Sequence, residues 1–127
     1  MMVPDWAGYL KFRNAFGAVM DERYHTLDWL DDQILEGNVR FWRSANAALL
    51  TEIKHYPTGA MDIHVTIAAG DMREVVEILR PQAERYGRDL GCIGSTVESR
   101  PGWAKVLKPY GYEAFQLTVR KELGHGA

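Results

Sequence analysis

The stretch Asp62–Gly91, DIHVTIAAGDMREVVEILRPQAERYGRDLG, decides the fold. Its first residues alternate between two faces, with Ile63, Val65 and Ile67 on one and Asp62, His64 and Thr66 on the other. This period of two predicts a strand that ends near Ala69. Gly70 then permits a sharp turn, and Asp71 with Glu74 has the form of a helix N-cap with its reciprocal partner. The stretch therefore predicts a strand that turns directly into a helix.

Such a junction can bind an anion as well as connect two elements. The first N–H groups of a helix have no partner within it, and the positive end of the helix dipole points the same way. Turns of this kind are also ordinary connections in any α/β domain, and a single glycine at position 70 is a weak signal. Both interpretations stay open at this point.

Composition limits the functions that the chain can have. It has 127 residues and a formal net charge of −2, without a Lys/Arg block, so one domain is expected and nucleic-acid binding is not favoured. No apolar run reaches the length of a membrane span. Cys92, the only cysteine, is expected to be a small buried hydrophobe in a reducing compartment, which predicts a cytoplasmic protein. The acidic run Asp28, Asp31 and Asp32 is expected to be a solvated helix face, and no metal site is predicted.

Before the central stretch, apolar spacing predicts two helices. One covers Asp5–Tyr24, and the other runs from a Thr26 cap to just before Gly37. Alternation then predicts a strand at Val39–Trp42, and a run rich in Leu49, Leu50 and Ile53 predicts another at Ala47–Tyr56; both would form an antiparallel meander with the central strand.

After the central turn, spacings of three and four predict a long helix with Gly91 as its C-cap and with a kink or a split at Pro81. A strand over Cys92–Glu98 would lie parallel to the central strand. A short helix at Trp103–Lys108 and a last strand at Tyr112–Lys121 follow. The elements predict a mixed α/β fold: a twisted, mainly antiparallel sheet of five or six strands with one parallel pair and helices on both faces.

This order of elements and two sequence blocks resemble the GCN5-related N-acetyltransferase (GNAT) family. The first block is the strand and helix from Asp62 to Cys92, where the family binds acetyl-CoA. The second is Trp103–Leu123, WAKVLKPYGYEAFQLTVRKEL, which looks like the family's closing short helix, Gly-aromatic pair, strand and terminal Lys-x-Leu. The resemblance covers the chain from about Thr26 onward and implies a GNAT-like fold.

The sequence also resembles, more closely, short acetyltransferase-like proteins of tailed bacteriophages, some of which are virion proteins. The shared motifs are TEI at Thr51–Ile53, GC at Gly91–Cys92, RxGW at Arg100–Trp103 and KxL at Lys121–Leu123. This resemblance implies phage or virion proteins as partners, and the host cytoplasm or the virion as the location.

The family resemblance implies a site for acetyl-CoA and no metal. Backbone donors would come from the end of the central strand and the start of the helix, with one arginine side chain as an electrostatic aid: Ile67, Ala68, Ala69, Gly70, Asp71, Met72 and Arg73. The loop AAGDMR has one glycine where the family prefers two. Asp71 also places a negative charge where the pyrophosphate would rest.

The resemblance further implies a base for the acceptor amine and an acid for the leaving thiolate. His64 is the first candidate base, and Glu52 on the neighbouring strand is the second. Each also has an ordinary explanation, as a satisfied sheet histidine and as a solvent-facing strand residue. The tyrosine that the family often carries corresponds to Leu107 here, so Tyr110 or Tyr112 would have to donate the proton from another direction.

Two functions are compatible with these residues. One is an acyl-CoA-dependent N-acyltransferase of unknown acceptor, and the other is a catalytically inactive acetyltransferase-like phage protein that acts as a virion component or assembly factor. A homo-oligomer is a further candidate partner, and the first helix is the expected contact if the protein is part of a multi-subunit particle. Arg100 with Trp103 is either an acceptor-binding or partner-binding edge, or Trp103 simply anchors the short helix on the sheet. Residues 1–127 are expected to form one domain, with an N-terminal helix at 1–25, a core at 26–123 and a frayed tail at 124–127.

Overall fold

The computed structural model describes residues 5–98 and 101–124. Helices and strands follow in this order: α1 (Trp6–Val19), α2 (Leu27–Leu35), β1 (Arg40–Arg43), β2 (Ala47–His55), β3 (Met61–Gly70), α3 (residues 72–90), β4 (Gly94–Val97) and α4 (Pro101–Leu107), which the 3-10 turn Lys108–Tyr110 extends. The described strands form one sheet in the order β1-β2-β3-β4, in which only β3 and β4 are parallel. The predicted mixed α/β fold is confirmed, although the described sheet has four strands rather than five or six.

Helices cover the sheet on both faces and create two apolar cores. On one face, α1 and α2 pack against the sheet and form a core of buried residues from both helices and from the strands and their connections: Tyr9, Phe16, Leu30, Ile34, Val39, Ala48, Leu50 and Ala69. On the other face, α3 packs against β2 and β3 and forms a second core with them: Ala47, Leu49, Ile63, Val75, Leu79 and Ala83. Burying side chains on both faces of β2 and β3 holds the centre of the sheet rigidly in place.

The capping residues largely behave as the sequence predicts. The Thr26 hydroxyl accepts the Trp29 N–H at 3.2 Å at the start of α2, and Gly91 ends α3 with a φ of +93°. The first helix is shorter than predicted: it ends at Val19 rather than at Tyr24. There the Asp21 side chain accepts the Arg23 N–H at 3.0 Å and closes a turn in place of a further helical turn.

The sequence suggested that Asp31 lies on a solvated helix face, but the structure shows otherwise. Its carboxylate accepts the Tyr9 hydroxyl at 2.6 Å and two guanidinium N–H groups of Arg13 at 2.9 and 2.8 Å. These bonds tie α2 to α1 across their interface. Burial of Tyr9 and its bond to the Asp31 carboxylate raise the pKa of the phenol well above its usual value.

Pro81 neither splits nor ends the long helix. An α-helical turn, Met72–Glu74, is followed by a π-helical turn, Val75–Leu79, and by the α-helix Arg80–Leu90. The π turn inserts one extra residue per turn before the proline, and so accommodates a residue without an N–H.

A β-bulge changes the faces of β3. Leu50 pairs with Ile67, but Thr51 pairs with Val65, so Thr66 is an extra residue on β3. The prediction that Ile67 lies on the same face as Ile63 is therefore wrong. Ile67 packs in the core under α1 and α2, whereas Ile63 packs in the core under α3.

The last predicted strand, Tyr112–Lys121, is not a strand in the structure. Residues 113–124 have no regular secondary structure and pair with no strand of the described chain. The short helix before it, α4, ends one residue earlier than predicted. Arg100 lies outside the described residues, and Trp103 is half-buried against the α3 core.

Candidate active site

A cleft of about 960 Å³ opens where β3 and β4 part. The two strands pair only over Asp62–Val65 and Gly94–Val97, whereas β3 continues to Gly70. The edge of β3 at residues 66–70 that would face β4 therefore has no partner strand within the described chain. Because backbone N–H and C=O groups require hydrogen bonds, this edge can pair with an extended ligand.

Three parts of the chain form the walls of the cleft. The free edge of β3 and the first turns of α3 form one side, the end of α1 and the turn after it form a second, and the end of β4 with α4 closes the third. Of the predicted cofactor residues, five lie in these walls: Ile67, Ala68, Ala69, Gly70 and Met72. Asp71 and Arg73 lie beside the cleft at the start of α3, and both are exposed.

Gly70 joins β3 to α3 in a conformation that only glycine adopts readily. Its φ is +94°, and a Cβ at this position would lie 2.3 Å from the Asn46 carbonyl oxygen. The sharp turn that the sequence predicts at Gly70 is confirmed. It brings the end of β3 and the start of α3 to the same wall of the cleft.

Asp71 caps α3, but without the reciprocal bond that the sequence predicts. Its carboxylate accepts the Glu74 N–H at 3.0 Å, and its own N–H donates to the Asn46 carbonyl at 2.8 Å. The Glu74 carboxylate turns instead to the β1–β2 connection, where it accepts the Ser44 hydroxyl at 2.6 Å and the Asn46 N–H at 2.9 Å. These bonds, with a third from the Asn46 side chain, lower the pKa of Glu74.

The start of α3 keeps two open donors. As the first two residues of the helix, Met72 and Arg73 have N–H groups without an intrahelical acceptor. The Arg73 side chain lies over the helix surface, where its Nε–H donates to Glu77 at 3.0 Å. The positive end of the helix dipole and the Arg73 side chain both favour an anion here, and the Asp71 carboxylate opposes one.

His64 and Glu52, the two predicted bases, are directly paired across β3 and β2. His64 is 5% exposed, and its Nδ1 lies 2.8 Å from the Thr96 hydroxyl. Burial of the imidazole lowers the pKa of His64, and the charge of Lys54 lowers it further, while the carboxylates of Glu98, Glu52 and Asp62 act against both. His64 is therefore neutral at neutral pH and can accept a proton. Neither predicted base lies in the cleft wall.

Glu98 connects His64 to the cleft, and sequence reasoning missed it. It follows β4 directly and forms part of the cleft wall, and its Oε1 lies 4.0 Å from the His64 Nε2. The same carboxylate is 3.7 Å from the Lys54 ammonium. Nothing in the local pattern marks Glu98, because its position depends on where β4 stops pairing with β3.

Tyr112 forms part of the cleft wall and occupies one of the two positions that the sequence offers as an acid. Its hydroxyl lies 2.7 Å from the Ser95 hydroxyl and donates to the Glu84 carboxylate at 3.0 Å. Burial raises the pKa of Tyr112 to about 12, so the phenol stays protonated at neutral pH. Leu107, at the family's usual tyrosine position, is buried in the same wall, and Tyr110 stacks on the Arg80 guanidinium at 4.2 Å.

The cleft offers polar contacts at both ends to an extended ligand. An amide-containing chain can pair with the free edge of β3 at residues 66–70, and an anionic group at its end would face the open N–H groups of Met72 and Arg73. The apolar side chains of Val75, Val76 and Leu107 line the walls between these polar ends. Carboxylates oppose an anion here: Asp71 at the start of α3, and Asp21, Glu22 and Glu98 in the cleft walls.

The described residues contain neither a metal-binding cluster nor a membrane-spanning helix. Within residues 5–98 and 101–124, no three His, Cys, Asp or Glu side chains are grouped so that they could hold a metal ion. No described helix has both the length and the apolar character needed to cross a membrane.

Comparison with known proteins finds similar structures but no similar sequences. No family model matches this sequence, and no curated protein matches it either. An acetyltransferase from Trypanosoma brucei superposes with a TM-score of 0.69 at 12% identity, over 96% of this chain and 97% of that chain. An aminoglycoside N-acetyltransferase in complex with CoA superposes with a TM-score of 0.68 at 17% identity, over 92% and 90%.

A third similar structure has the same arrangement. Glucosamine-6-phosphate N-acetyltransferase from Arabidopsis thaliana superposes with a TM-score of 0.67 at 10% identity, over 98% of this chain and 97% of that chain. Identities this low establish a shared fold. The chain thus has the mixed α/β fold of the GNAT acetyltransferases, as the resemblance implied.

Proposed function

We propose that this protein is an acyl-CoA-dependent N-acyltransferase. The observation that carries the proposal is the cleft between β3 and β4, where an unpaired strand edge runs directly into the N-terminus of α3. The CoA bound by the aminoglycoside N-acetyltransferase of the same fold supports the ligand class. The acceptor is an amine whose identity the fold does not define.

A CoA thioester would supply an activated acyl group to this cleft. We assign its pantetheine arm to the free edge of β3 at residues 66–70 and its pyrophosphate to the N–H groups of Met72 and Arg73. Backbone donors are held rigidly by the sheet and the helix, so they position the thioester without a loss of side-chain entropy. The Arg73 guanidinium offsets part of the Asp71 charge.

His64 is the proposed base. If Nδ1–H donates to the Thr96 hydroxyl, Nε2 carries the lone pair, and Nε2 is the nitrogen nearest Glu98 at the cleft wall. The Glu98 carboxylate would accept a hydrogen bond from the neutral acceptor amine, and His64 would take one proton from that nitrogen as it attacks, directly or through one water. Glu52, the cross-strand neighbour of His64, would stabilise the imidazolium that forms.

Tyr112 is the proposed acid. The amine nitrogen would attack the thioester carbonyl carbon, forming the C–N bond, and the C–S bond would then break. The amine proton goes to His64, and the leaving thiolate takes a proton from the Tyr112 hydroxyl, which remains protonated until then because its pKa is about 12. Glu84 and Ser95 hold this hydroxyl in place.

Calorimetric titration of acetyl-CoA and of free CoA tests the proposal. We expect micromolar binding to the natural protein. Asp71→Asn, which keeps the N-cap but removes the charge, is expected to bind about tenfold more tightly, because a carboxylate no longer opposes the pyrophosphate. Arg73→Ala is expected to weaken binding, with Arg88→Ala on the same helix as the control.

A second candidate is an acetyltransferase-like protein without catalytic activity, such as a phage virion component or assembly factor. The observation that favours it is the Asp71 carboxylate at the N-terminus of α3, where an anion would otherwise bind. In this case the natural protein binds neither acetyl-CoA nor CoA, and Asp71→Asn restores binding. Absence of binding in both proteins would contradict the assignment of the cleft to acyl-CoA.

A further inference from the structure

The β1 edge, the outer side of the strand Arg40–Arg43, has no partner strand within the described chain. β1 pairs with β2 alone, and the Ser44 N–H just after it donates to the first carbonyl of β2 at 2.9 Å. Because successive residues of a strand direct their backbone groups to opposite sides, those of Trp42 also face β2, whereas those of Phe41 and Arg43 face outward. An open edge of this kind is a template for an added strand.

Aromatic side chains flank the β1 edge on both faces of the sheet. On the α1 face, the Phe41 ring lies 6.2 Å from the Phe12 ring. On the α3 face, the Trp42 ring meets the Tyr86 ring edge-on at 5.5 Å. All four residues are half-buried, so part of each side chain stays in contact with solvent. Aromatic residues are enriched in protein interfaces, and this edge therefore has the composition of a binding surface.

Arg40 holds a positive charge beside this edge. Its guanidinium lies 4.8 Å from the Trp42 ring and 4.4 Å from the Tyr86 ring, and no described carboxylate forms an ion pair with it. Stacking on two rings restricts the side chain in advance, so less entropy is lost when it binds a carboxylate. Arg43 differs, because it is already paired with Asp5 at 2.8 Å.

We propose that the β1 edge binds an extended acidic segment of another protein, which adds to the sheet as a further strand. Its backbone would bond to the outward groups of Phe41 and Arg43, and a carboxylate on the α3 face would meet Arg40. On the α1 face, an apolar side chain would cover the Phe41 ring. Since side chains alternate between the two faces of a strand, the surface fits a segment in which acidic and apolar residues alternate.

A second copy of this chain fits the β1 edge less well. β1 has the sequence RFWR and carries no carboxylate, so two β1 edges paired with each other would leave both Arg40 charges without a partner. The surface is also separate from the cleft, because β1 lies at the opposite side of the sheet from the gap between β3 and β4. The inference is therefore independent of the proposed acyl transfer.

Fluorescence anisotropy with two labelled peptides tests the charge preference. In one peptide valine alternates with glutamate, and in the other valine alternates with lysine. The natural protein should bind the glutamate peptide about tenfold more tightly or better, because a carboxylate then meets Arg40. Arg40→Gln removes the charge and should reduce this preference to about twofold. Equal binding of both peptides by the natural protein would overturn the proposal.

Two substitutions at Arg43 test the strand pairing itself. Arg43→Pro removes an N–H that faces outward and leaves the bonds between β1 and β2 intact, so it should weaken binding of the glutamate peptide about tenfold or more. Arg43→Ala loses the same contact with Asp5 but keeps the N–H, and it should bind within about threefold of the natural protein. Far-UV circular dichroism of both variants should show an unchanged fold. If Arg43→Pro binds as tightly as Arg43→Ala, the peptide does not pair with β1.

Amide hydrogen exchange, followed by NMR, locates the contact. The amides of Phe41 and Arg43 should become protected when the glutamate peptide binds, whereas that of Trp42 should be protected already by β2. A natural protein that binds neither peptide would overturn the proposal. Gel filtration with light scattering gives the last test: self-association that is lost in Arg43→Pro but kept in Arg43→Ala would assign the edge to a second copy instead.

Discussion

Arg80 supplies a hydrogen bond that Pro81 cannot, and a double-mutant cycle can measure it. In the π-helical turn, the Arg80 N–H donates to the Val75 carbonyl. Pro81 has no N–H, so no main-chain donor remains for the Val76 carbonyl. The Nε–H of the Arg80 side chain donates to that carbonyl instead, at 2.9 Å. The side chain thereby lets the helix continue through the proline.

Arg80→Ala is expected to lower the free energy of unfolding by about 2–3 kcal/mol. About 1–1.5 kcal/mol comes from the Val76 carbonyl left without a donor, about 0.5 kcal/mol from the i,i+4 pair with Glu84, and about 0.5–1 kcal/mol from the contact with the Tyr110 ring. Pro81→Ala adds an N–H that can bond within the helix. In the Arg80→Ala background, it should therefore recover about 1 kcal/mol more than in the natural protein.

Urea unfolding of the four proteins, followed by far-UV circular dichroism, gives the coupling energy directly. Additive effects of the two substitutions would refute the reasoning, because the Val76 carbonyl would then not depend on Arg80. A cost of less than about 0.5 kcal/mol for Arg80→Ala would refute it too.

Three further predictions follow from single side chains. The pKa of His64 in the folded protein lies below its usual 6.5, so the unfolded chain binds more protons in this range. The free energy of unfolding should therefore fall as the pH drops from 6.5 through the folded pKa. His64→Asn should reduce this pH dependence in urea unfolding measured at several pH values. Tyr112→Phe removes the proposed acid and should lower kcat about 100-fold with unchanged acetyl-CoA binding by calorimetry. Tyr9→Phe removes a bond to the charged Asp31 and should cost about 1.5–3 kcal/mol in urea unfolding, and a cost near zero would contradict that role.

Local patterns were sufficient for most of the fold. An apolar run predicts β2 and alternation predicts β3, the Thr26 and Gly91 caps delimit two helices, and the absence of a spacer after Gly70 predicts the strand-to-helix turn. Each of these features depends on residues within a few positions of one another, which is the range over which periodicity and capping act.

Features that depend on residues far apart in the chain could not be predicted from the sequence. Glu74 has the spacing of a capping-box residue, yet it bonds Ser44 and Asn46, which are 30 and 28 residues away. Asp31 looks like part of a solvated acidic run, but Arg13 and Tyr9 draw it into the helix interface. In both cases a long-range charged hydrogen bond is stronger than the local alternative.

The position of the candidate site follows from pairing that no single strand encodes. The sequence from Ile63 to Ile67 alternates without interruption, so it gives no sign that Thr66 is an extra residue opposite β2. That bulge turns Ile67 toward α1, and just beyond it β4 ends while β3 continues. The cleft and the approach of Glu98 to His64 both arise at this point. Most side chains of the candidate site can thus be identified from the chain, but their meeting point depends on where two strands cease to pair.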